Sequence, residues 1–335
     1  MRVAVDAMGG DHGSRVVVEG AVAAARHAGV GVTLVGLSET LRAELAREPD
    51  ASRLDIRVVD AADVVGMGEQ PAEALRRTSH TSIQVAADLV AQGEAAALFS
   101  AGNTGATVLA AYAAFGLLRG AERPALAATV PTTRGVAVLL DVGANANCRP
   151  QHLVAFAVMG TVYARVGLDI ADPSVGLLSI GEEETKGNEL TREAHRLLRG
   201  TPLRFVGNVE ARDLYSGAAD VVVCDGFTGN VAIKVSEGIV GMVEALLAEE
   251  FSASQEAHGG YQLAREAFEH FRARVDYSEY GGAPLLGVAR PCVVGHGRSS
   301  AKAVRNAILM AHRFATGGLV ARLEQELSLL QGASS

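Results

Sequence analysis

Apolar runs of strand length alternate with helical patterns along most of this chain. Runs at 2–6, 32–36, 54–59, 95–99, 125–130, 136–140, 175–180, 203–207 and 219–224 predict strands. Apolar residues recurring at spacings of three and four predict helices over 14–28, 38–47, 71–92, 103–117, 150–167, 187–199 and 299–326. Such alternation implies βα units, and so an α/β fold with a mainly parallel sheet and flanking helices. The runs at 125–130 and 136–140 are close enough to form a hairpin instead. No internal repeat or low-complexity linker divides the chain, so one α/β catalytic domain over 1–335 is expected.

Residues 228–275 differ in pattern. One helical face carries Ile239, Met242, Val243, Leu246, Leu247 and Phe251, and a second carries Tyr261, Ala264, Phe268, Phe271 and Val275. The stretch Ser-Ala-Ser-Gln-Glu-Ala-His-Gly-Gly (252–260) reads as the loop between them. The pair predicts a helical hairpin at about 236–276. Either it packs on the core or on a second subunit, or it offers a face to a partner or membrane, with Arg265, Arg272 and Arg274 beside the apolar stripe.

Four strand-length runs end in turns rich in Gly and Asn. The turns are Ser-Ala-Gly-Asn-Thr-Gly-Ala (100–106), Asp-Val-Gly-Ala-Asn-Ala-Asn (141–147), Gly-Glu-Glu-Glu-Thr-Lys-Gly-Asn-Glu (181–189) and Asp-Gly-Phe-Thr-Gly-Asn (225–230). Parallel strands end on one edge, so the four turns are expected to meet in one crevice. Helices starting there present free N–H groups, which suit phosphate or an oxyanion. Asn103, Asn145, Asn188 and Asn230 can donate to such a ligand, or simply close turns. Asp6, Asp141 and Asp225 each end a strand, as ligand groups or as helix caps. The turn Asp-Ala-Met-Gly-Gly-Asp-His (6–12) can hold a phosphate by its backbone, or be a tight turn capped by Asp11; His12 and His296 are possible proton carriers.

Lysine usage sharpens the picture. The 335 residues include 27 arginines but only three lysines, Lys186, Lys234 and Lys302. A surface solubilised by arginine does not need lysine, so each lysine draws attention. Lys186 lies directly after a strand, where its ammonium can meet phosphate or an oxyanion, or merely balance Glu182–Glu184. Lys234 reads as a core-edge lysine, and Lys302 lies near the cap of the last helix, beside Ser299 and Ser300.

The net charge of −8 argues against nucleic-acid binding. Cys148, Cys224 and Cys292 lack metal-type spacing and read as reduced thiols of a cytoplasmic protein. No signal peptide is expected, and the apolar window 95–118 is too interrupted to span a membrane. There is no G-x-G-x-x-G, no P-loop and no G-x-S-x-G elbow, and no Cys/His pairing. No cofactor, no metal and no covalent protein nucleophile are therefore expected.

Several long motifs then occur in order. They are Val-Asp-Ala-Met-Gly-Gly-Asp-His (5–12), Ser-Ala-Gly-Asn-Thr-Gly-Ala (100–106), Arg-Pro-Ala-Leu-Ala (123–127), Leu-Leu-Asp-Val-Gly-Ala-Asn (139–145) and Lys-Gly-Asn-Glu-Leu-Thr (186–191). Gly-Asn-Val-Glu-Ala-Arg-Asp-Leu (207–214), Asp-Gly-Phe-Thr-Gly-Asn-Val (225–231), Tyr-Ser-Glu-Tyr-Gly-Gly-Ala (277–283) and Gly-His-Gly (295–297) follow. Nearly end to end, the chain resembles the phosphate acyltransferase family of bacterial phospholipid synthesis, the PlsX type. The resemblance implies a fold like isopropylmalate dehydrogenase and phosphotransacetylase, and a homodimer. It implies transfer of a fatty acyl group from acyl-[acyl-carrier-protein] to inorganic phosphate, giving acyl phosphate for a membrane glycerol-3-phosphate acyltransferase. A cytoplasmic, peripherally membrane-associated location is implied as well.

On that resemblance Lys186, Asp225 and Asn230 are the candidate catalytic residues. Lys186 would carry phosphate or oxyanion charge, and Asp225 would orient it or a neighbouring amide. Candidate substrate-binding positions are Asp6, Gly9, Gly10, His12, Asn103, Thr104, Gly105, Asn145, Asn188, Gly229 and His296. The chain departs from the family at Arg-Arg-Thr-Ser-His-Thr-Ser (76–82), where a basic run is usual, and in the residues after Gly297. A basic docking patch for an acidic carrier protein would have to come from arginines. Competing readings are a phosphotransacylase using acyl-CoA, a metal- and NAD-dependent decarboxylating dehydrogenase, and a non-catalytic scaffold.

Overall fold

A computed structural model describes residues 1–275 and 279–333. Asp276, at the end of the expected hairpin, and Tyr277 and Ser278 of the Tyr-Ser-Glu-Tyr motif lie outside the described residues.

The chain begins β1 (Arg2–Asp6), α1 (Gly13–Ala28), β2 (Gly31–Gly36), α2 (Ser38–Leu45) and β3 (Ile56–Asp60). It continues α3 (Pro71–Arg77), α4 (Ser82–Ala91), β4 (Ala97–Ser100), α5 (Thr104–Phe115), β5 (Ala125–Thr132) and β6 (Gly135–Leu140). Next come α6 (Pro150–Gly167), β7 (Val175–Ser179), α7 (Glu189–Arg199), β8 (Phe205–Glu210) and β9 (Val221–Val223). The last elements are α8 (Gly226–Ser252), α9 (Gln255–Val275), β10 (Ala283–Leu286), β11 (Cys292–Val294), α10 (Ala301–Thr316) and α11 (Leu319–Ala333).

The strands form one sheet in the order β3-β2-β1-β4-β11-β10-β5-β6-β9-β7-β8. Its two wings, β3 to β11 and β6 to β8, are internally parallel. They are joined by three antiparallel pairings, β11 with β10, β10 with β5, and β5 with β6. The β5–β6 pair is the hairpin, closing at Thr132 opposite Gly135.

Helices cover both faces, which is why strands such as β2 are buried at every position and read as unbroken apolar runs. One face packs α1, α6 and α10, with Phe156, Tyr163, Val304 and Phe314 at its centre. Tyr163 meets Phe314 edge-on at 5.7 Å, and its hydroxyl is paired with that of Thr129 at 2.8 Å. Burying a ring of this size contributes about 2–3 kcal/mol. A methyl group on Gly20 would lie 2.5 Å from the Val304 Cβ, so only glycine lets α1 approach α10 this closely. The other face packs α4 and α5 through Ile83, Val90, Ala106 and Ala110.

Several expected boundaries shift. The helix expected over 71–92 is two, because Thr81 accepts from the Gln84 N–H and starts α4 afresh. The helix expected over 299–326 breaks at Gly317-Gly318, where Gly318 has φ +69°. The loop expected at 252–260 is shorter, since α9 begins at Gln255 and runs through Gly259-Gly260. In the α8–α9 hairpin Phe251, Tyr261 and Phe268 cluster with centroids 5.0–5.5 Å apart. The outer face of α8 leaves Phe227, Val231, Val235, Ile239, Met242 and Leu246 exposed. Among the described residues no helix is long and apolar enough to cross a membrane.

Candidate active site

Three antiparallel steps separate β4 from β6, so the two wings run in opposite directions. The expectation that all four glycine-rich turns gather at one edge is therefore corrected. Turn 100–106 ends β4 on one edge of the sheet. Turns 141–147, 181–189 and 225–230 end β6, β7 and β9 on the other.

On the first edge the turns after β1, β4 and β11 interlock. A methyl group on Gly9 would lie 2.5 Å from the Gly102 nitrogen, and one on Gly10, at φ +104°, would lie 3.3 Å from the Gly297 carbonyl oxygen. The Asp11 N–H donates to that same carbonyl at 2.7 Å. Asp6 lies beneath them, 4% exposed, and accepts from the Ser100 hydroxyl at 2.7 Å. Burial raises its pKa above the ordinary carboxylate range. Its contacts are with the two loops, so it shapes the crevice floor.

Asn103 caps α5 by accepting from the Ala106 N–H at 3.1 Å. Its amide donates to the carbonyls of Gly66, Met67 and Glu69 at 3.1–3.3 Å, which explains an asparagine here without any ligand. Thr104 is the first residue of α5, and Gly105 lets Pro71 approach, since a methyl there would lie 2.7 Å from the proline Cγ. His12 precedes α1 without making a side-chain cap. His296 Nδ1 accepts from the Arg298 N–H at 3.1 Å, and its Nε2 is 3.7 Å from Glu237 on α8. That bond lowers the Glu237 pKa, with Lys234 and Arg298 adding to the effect.

On the second edge Asp141 organises turn 141–147. Its carboxylate accepts from the backbone N–H groups of Leu126, Gly143, Ala144 and Asn145 at 2.7–3.1 Å, and from the Asn145 amide at 2.8 Å. Asn145 also donates to the Pro124 carbonyl at 2.6 Å and is buried. Its amide thus belongs to the turn. The Asn145 carbonyl in turn accepts from the Gly226 N–H at 2.8 Å, locking in the start of α8. Asp225 caps α8 by accepting from the Thr228 N–H and hydroxyl at 2.9 and 2.7 Å. Gly229 packs on Asp141, and Asn230 faces Gly143 across the turn.

Lys186 is exposed in the turn after β7. Its N–H donates to the Glu183 carbonyl at 3.0 Å, and the Asn208 amide donates to the same carbonyl at 2.9 Å. Asn208 is paired in turn with the buried His195 at 2.9 Å. Asn188 caps α7 through the Thr191 N–H at 2.9 Å. Among the described residues Asn188 and Asn230 are the two of the four asparagines whose side-chain N–H groups make no hydrogen bond.

The Cys148 and Cys224 thiols donate to the Asn145 and Asp141 carbonyls at 3.6 and 3.5 Å and so help to hold turn 141–147. Burial raises Cys148 to about 11 and Cys292 to about 12, and pushes Cys224 well up. Among the described residues no group of three or more His, Cys, Asp or Glu is placed to hold a metal.

Two helix-lined edges built from glycine, amide and cation, without a thiolate, suit activation of a bound oxyanion. The sequence profile of the family described as "Fatty acid synthesis protein" matches residues 1–322. A phosphate acyltransferase of Citrifermentans bemidjiense is 52% identical over 328 residues, covering 98% of this chain and 93% of that one. The chain belongs to this phosphate acyltransferase family. It is an enzyme of fatty acid and phospholipid synthesis. Solved structures agree on the fold. A phosphotransacetylase from Streptococcus pyogenes matches with a TM-score of 0.64 at 18% identity, covering 94% of each chain. A branched-chain phosphotransacylase from Enterococcus faecalis matches with a TM-score of 0.56 at 18% identity, covering 95% of this chain and 99% of that one.

Sequence reading passed over Glu237, Arg298 and Asn208. The signal for Asn208 was its place in the motif at 207–214. Glu237 and Arg298 carry no signal in isolation, because only the path of α8 brings them together.

Proposed function

We propose that this phosphate acyltransferase takes its acyl group from acyl-[acyl-carrier-protein] and releases acyl phosphate. A phosphate oxygen attacks the thioester carbon, the carbon–sulfur bond breaks, and the carrier leaves as thiolate. What carries the reading is membership of the phosphate acyltransferase family in a chain whose cysteines are buried or half-buried, so that phosphate itself serves as nucleophile. Lys186, on the turn after β7, offsets oxyanion charge, with Asn188 and Asn230 as neutral donors. Asp225 and Gly229 hold the start of α8 against turn 141–147. The first edge, from Asp6, Gly9 and Gly10 to His12, Thr104, Gly105 and His296, binds the rest of the substrates.

The exposed apolar stripe of α8 fits a second copy of this chain, giving a homodimer. The product is an amphiphile for a membrane glycerol-3-phosphate acyltransferase, so a cytoplasmic enzyme resting on the membrane surface suits its delivery. The reaction is tested by phosphate-dependent release of free thiol from palmitoyl-carrier protein, with Lys186→Ala alongside. Release that requires phosphate, and that collapses in the folded variant, is the expected result. Undiminished release in the variant would remove Lys186 from the chemistry, and release independent of phosphate would remove the reaction.

A further inference from the structure

The first edge combines features that one carboxylate alone does not explain. α1, α5 and α10 all begin there, because each follows one of the parallel strands β1, β4 and β11. Each helix directs about half a positive charge at that edge. α5 and α10 are capped by Asn103 and Ser300, whereas α1 starts without a side-chain cap and Gly13 borders open space. Ser299, next to the α10 cap, is 4% exposed, and among the described residues its hydroxyl has no hydrogen-bond partner. A buried unpaired hydroxyl is costly, and ligand binding is one way of satisfying it.

Two cations, Lys234 and Arg298, act electrostatically on Glu237, the carboxylate that meets the His296 ring beside this loop. His296 is held by Glu237 at 3.7 Å, and Lys234 lies one helical turn before Glu237 on α8. Arg298 is fixed to His296 through its backbone N–H at 3.1 Å. The opposing charges are Glu237 itself and Asp11, whose carboxylate borders Gly297.

We infer that this corner, bounded by Gly10, Lys234, His296, Arg298 and Ser299, is a binding subsite for a phosphate group. This rests on the phosphate acyltransferase reading but not on Lys186. Two sources of the group share this chemistry: the inorganic phosphate substrate, and the phosphodiester in the thiol arm of a carrier protein. α8 runs from the Asn230 turn to this corner, and from Asn230 to Glu237 the helix rises roughly 10 Å. An arm anchored at the corner thus lies along the helix that starts at the second edge.

The test uses the full-length enzyme with Lys234→Ala, Arg298→Ala and the double variant. KM and kcat are measured separately for inorganic phosphate, for acyl-carrier protein, and for a short acyl thioester lacking any phosphate. Loss of a charge-assisted contact corresponds to about tenfold or more in KM. A rise in KM for phosphate identifies inorganic phosphate as the occupant. A rise for acyl-carrier protein, with the short thioester unaffected, identifies the arm. Lys234→Arg restores either value, and Glu237→Gln, which removes the competing charge, lowers it. The subsite is overturned if all three KM values stay within about twofold in folded double variant, or if kcat alone falls. Equilibrium binding of inorganic phosphate and of acyl-carrier protein to the double variant, read without turnover, separates this result from failure of the catalytic assignment: weakened binding supports the subsite whatever the activity of Lys186→Ala, and unchanged binding overturns it.

Discussion

Gly229 presses on the main chain of Asp141: a methyl group at 229 would lie 1.9 Å from the Asp141 carbonyl oxygen and 2.9 Å from the Cys224 sulfur. The first contact is with backbone, which cannot rotate aside. The start of α8 and turn 141–147 are thereby set against each other at the candidate catalytic edge.

Gly229→Ala is expected to destabilise the fold by about 3 kcal/mol, at the upper end of overpacking costs. Activity should fall further than the unfolded fraction accounts for, because Asn230 moves with the helix. Denaturant unfolding alongside thiol release checks both. A variant of wild-type stability would contradict the packing.

The buried Asp6 makes stability depend on pH. Its folded pKa is raised, so between the ordinary carboxylate value and the raised one the folded state keeps a proton that the unfolded chain has released. Stability from this group is complete at low pH and declines as pH rises through that window. Asp6→Asn should therefore gain on wild type as pH rises from about 4 and level off above the raised value. Urea unfolding across that range measures the difference, and a pH-independent difference would refute it.

Alkylation should leave the enzyme active. Cys148, at about 11 and partly buried, and Cys292, at about 12 and buried, are thiols at neutral pH, as is Cys224. Iodoacetamide on native protein should modify little and inhibit little. Rapid inactivation with one equivalent incorporated would point to a thiolate in the reaction.

The α8 stripe should control association. Val235→Glu together with Met242→Glu places two charges within it, and the expected homodimer should give way to monomer in sedimentation velocity. An unchanged dimer would assign the interface to another face.

Particular elements show where sequence reading ends. β1, β2 and β6 were legible because both faces are covered, leaving unbroken apolar runs. β10 and β11, of four and three residues, passed unnoticed. Yet their antiparallel pairings, with β5–β6, reverse the second wing and move turn 100–106 to the opposite edge. The amides of Asn103 and Asn145 met backbone carbonyls instead of open crevice for the same kind of reason. Their partners, Gly66 to Glu69 and Pro124, come from segments whose approach no local pattern encodes.

Local chemistry and chain order by themselves determined the βα alternation, the glycine turns, the scarcity of lysine and the family. These depend on short-range periodicity and on motifs read in sequence. Only the tertiary structure decided which turns share an edge, that Asp225 caps α8, and that Lys234, Glu237, His296 and Arg298 meet. Those outcomes depend on strand direction and on a 27-residue helix bridging two edges. Contacts between segments tens to hundreds of residues apart follow from packing the whole core, which no local window contains.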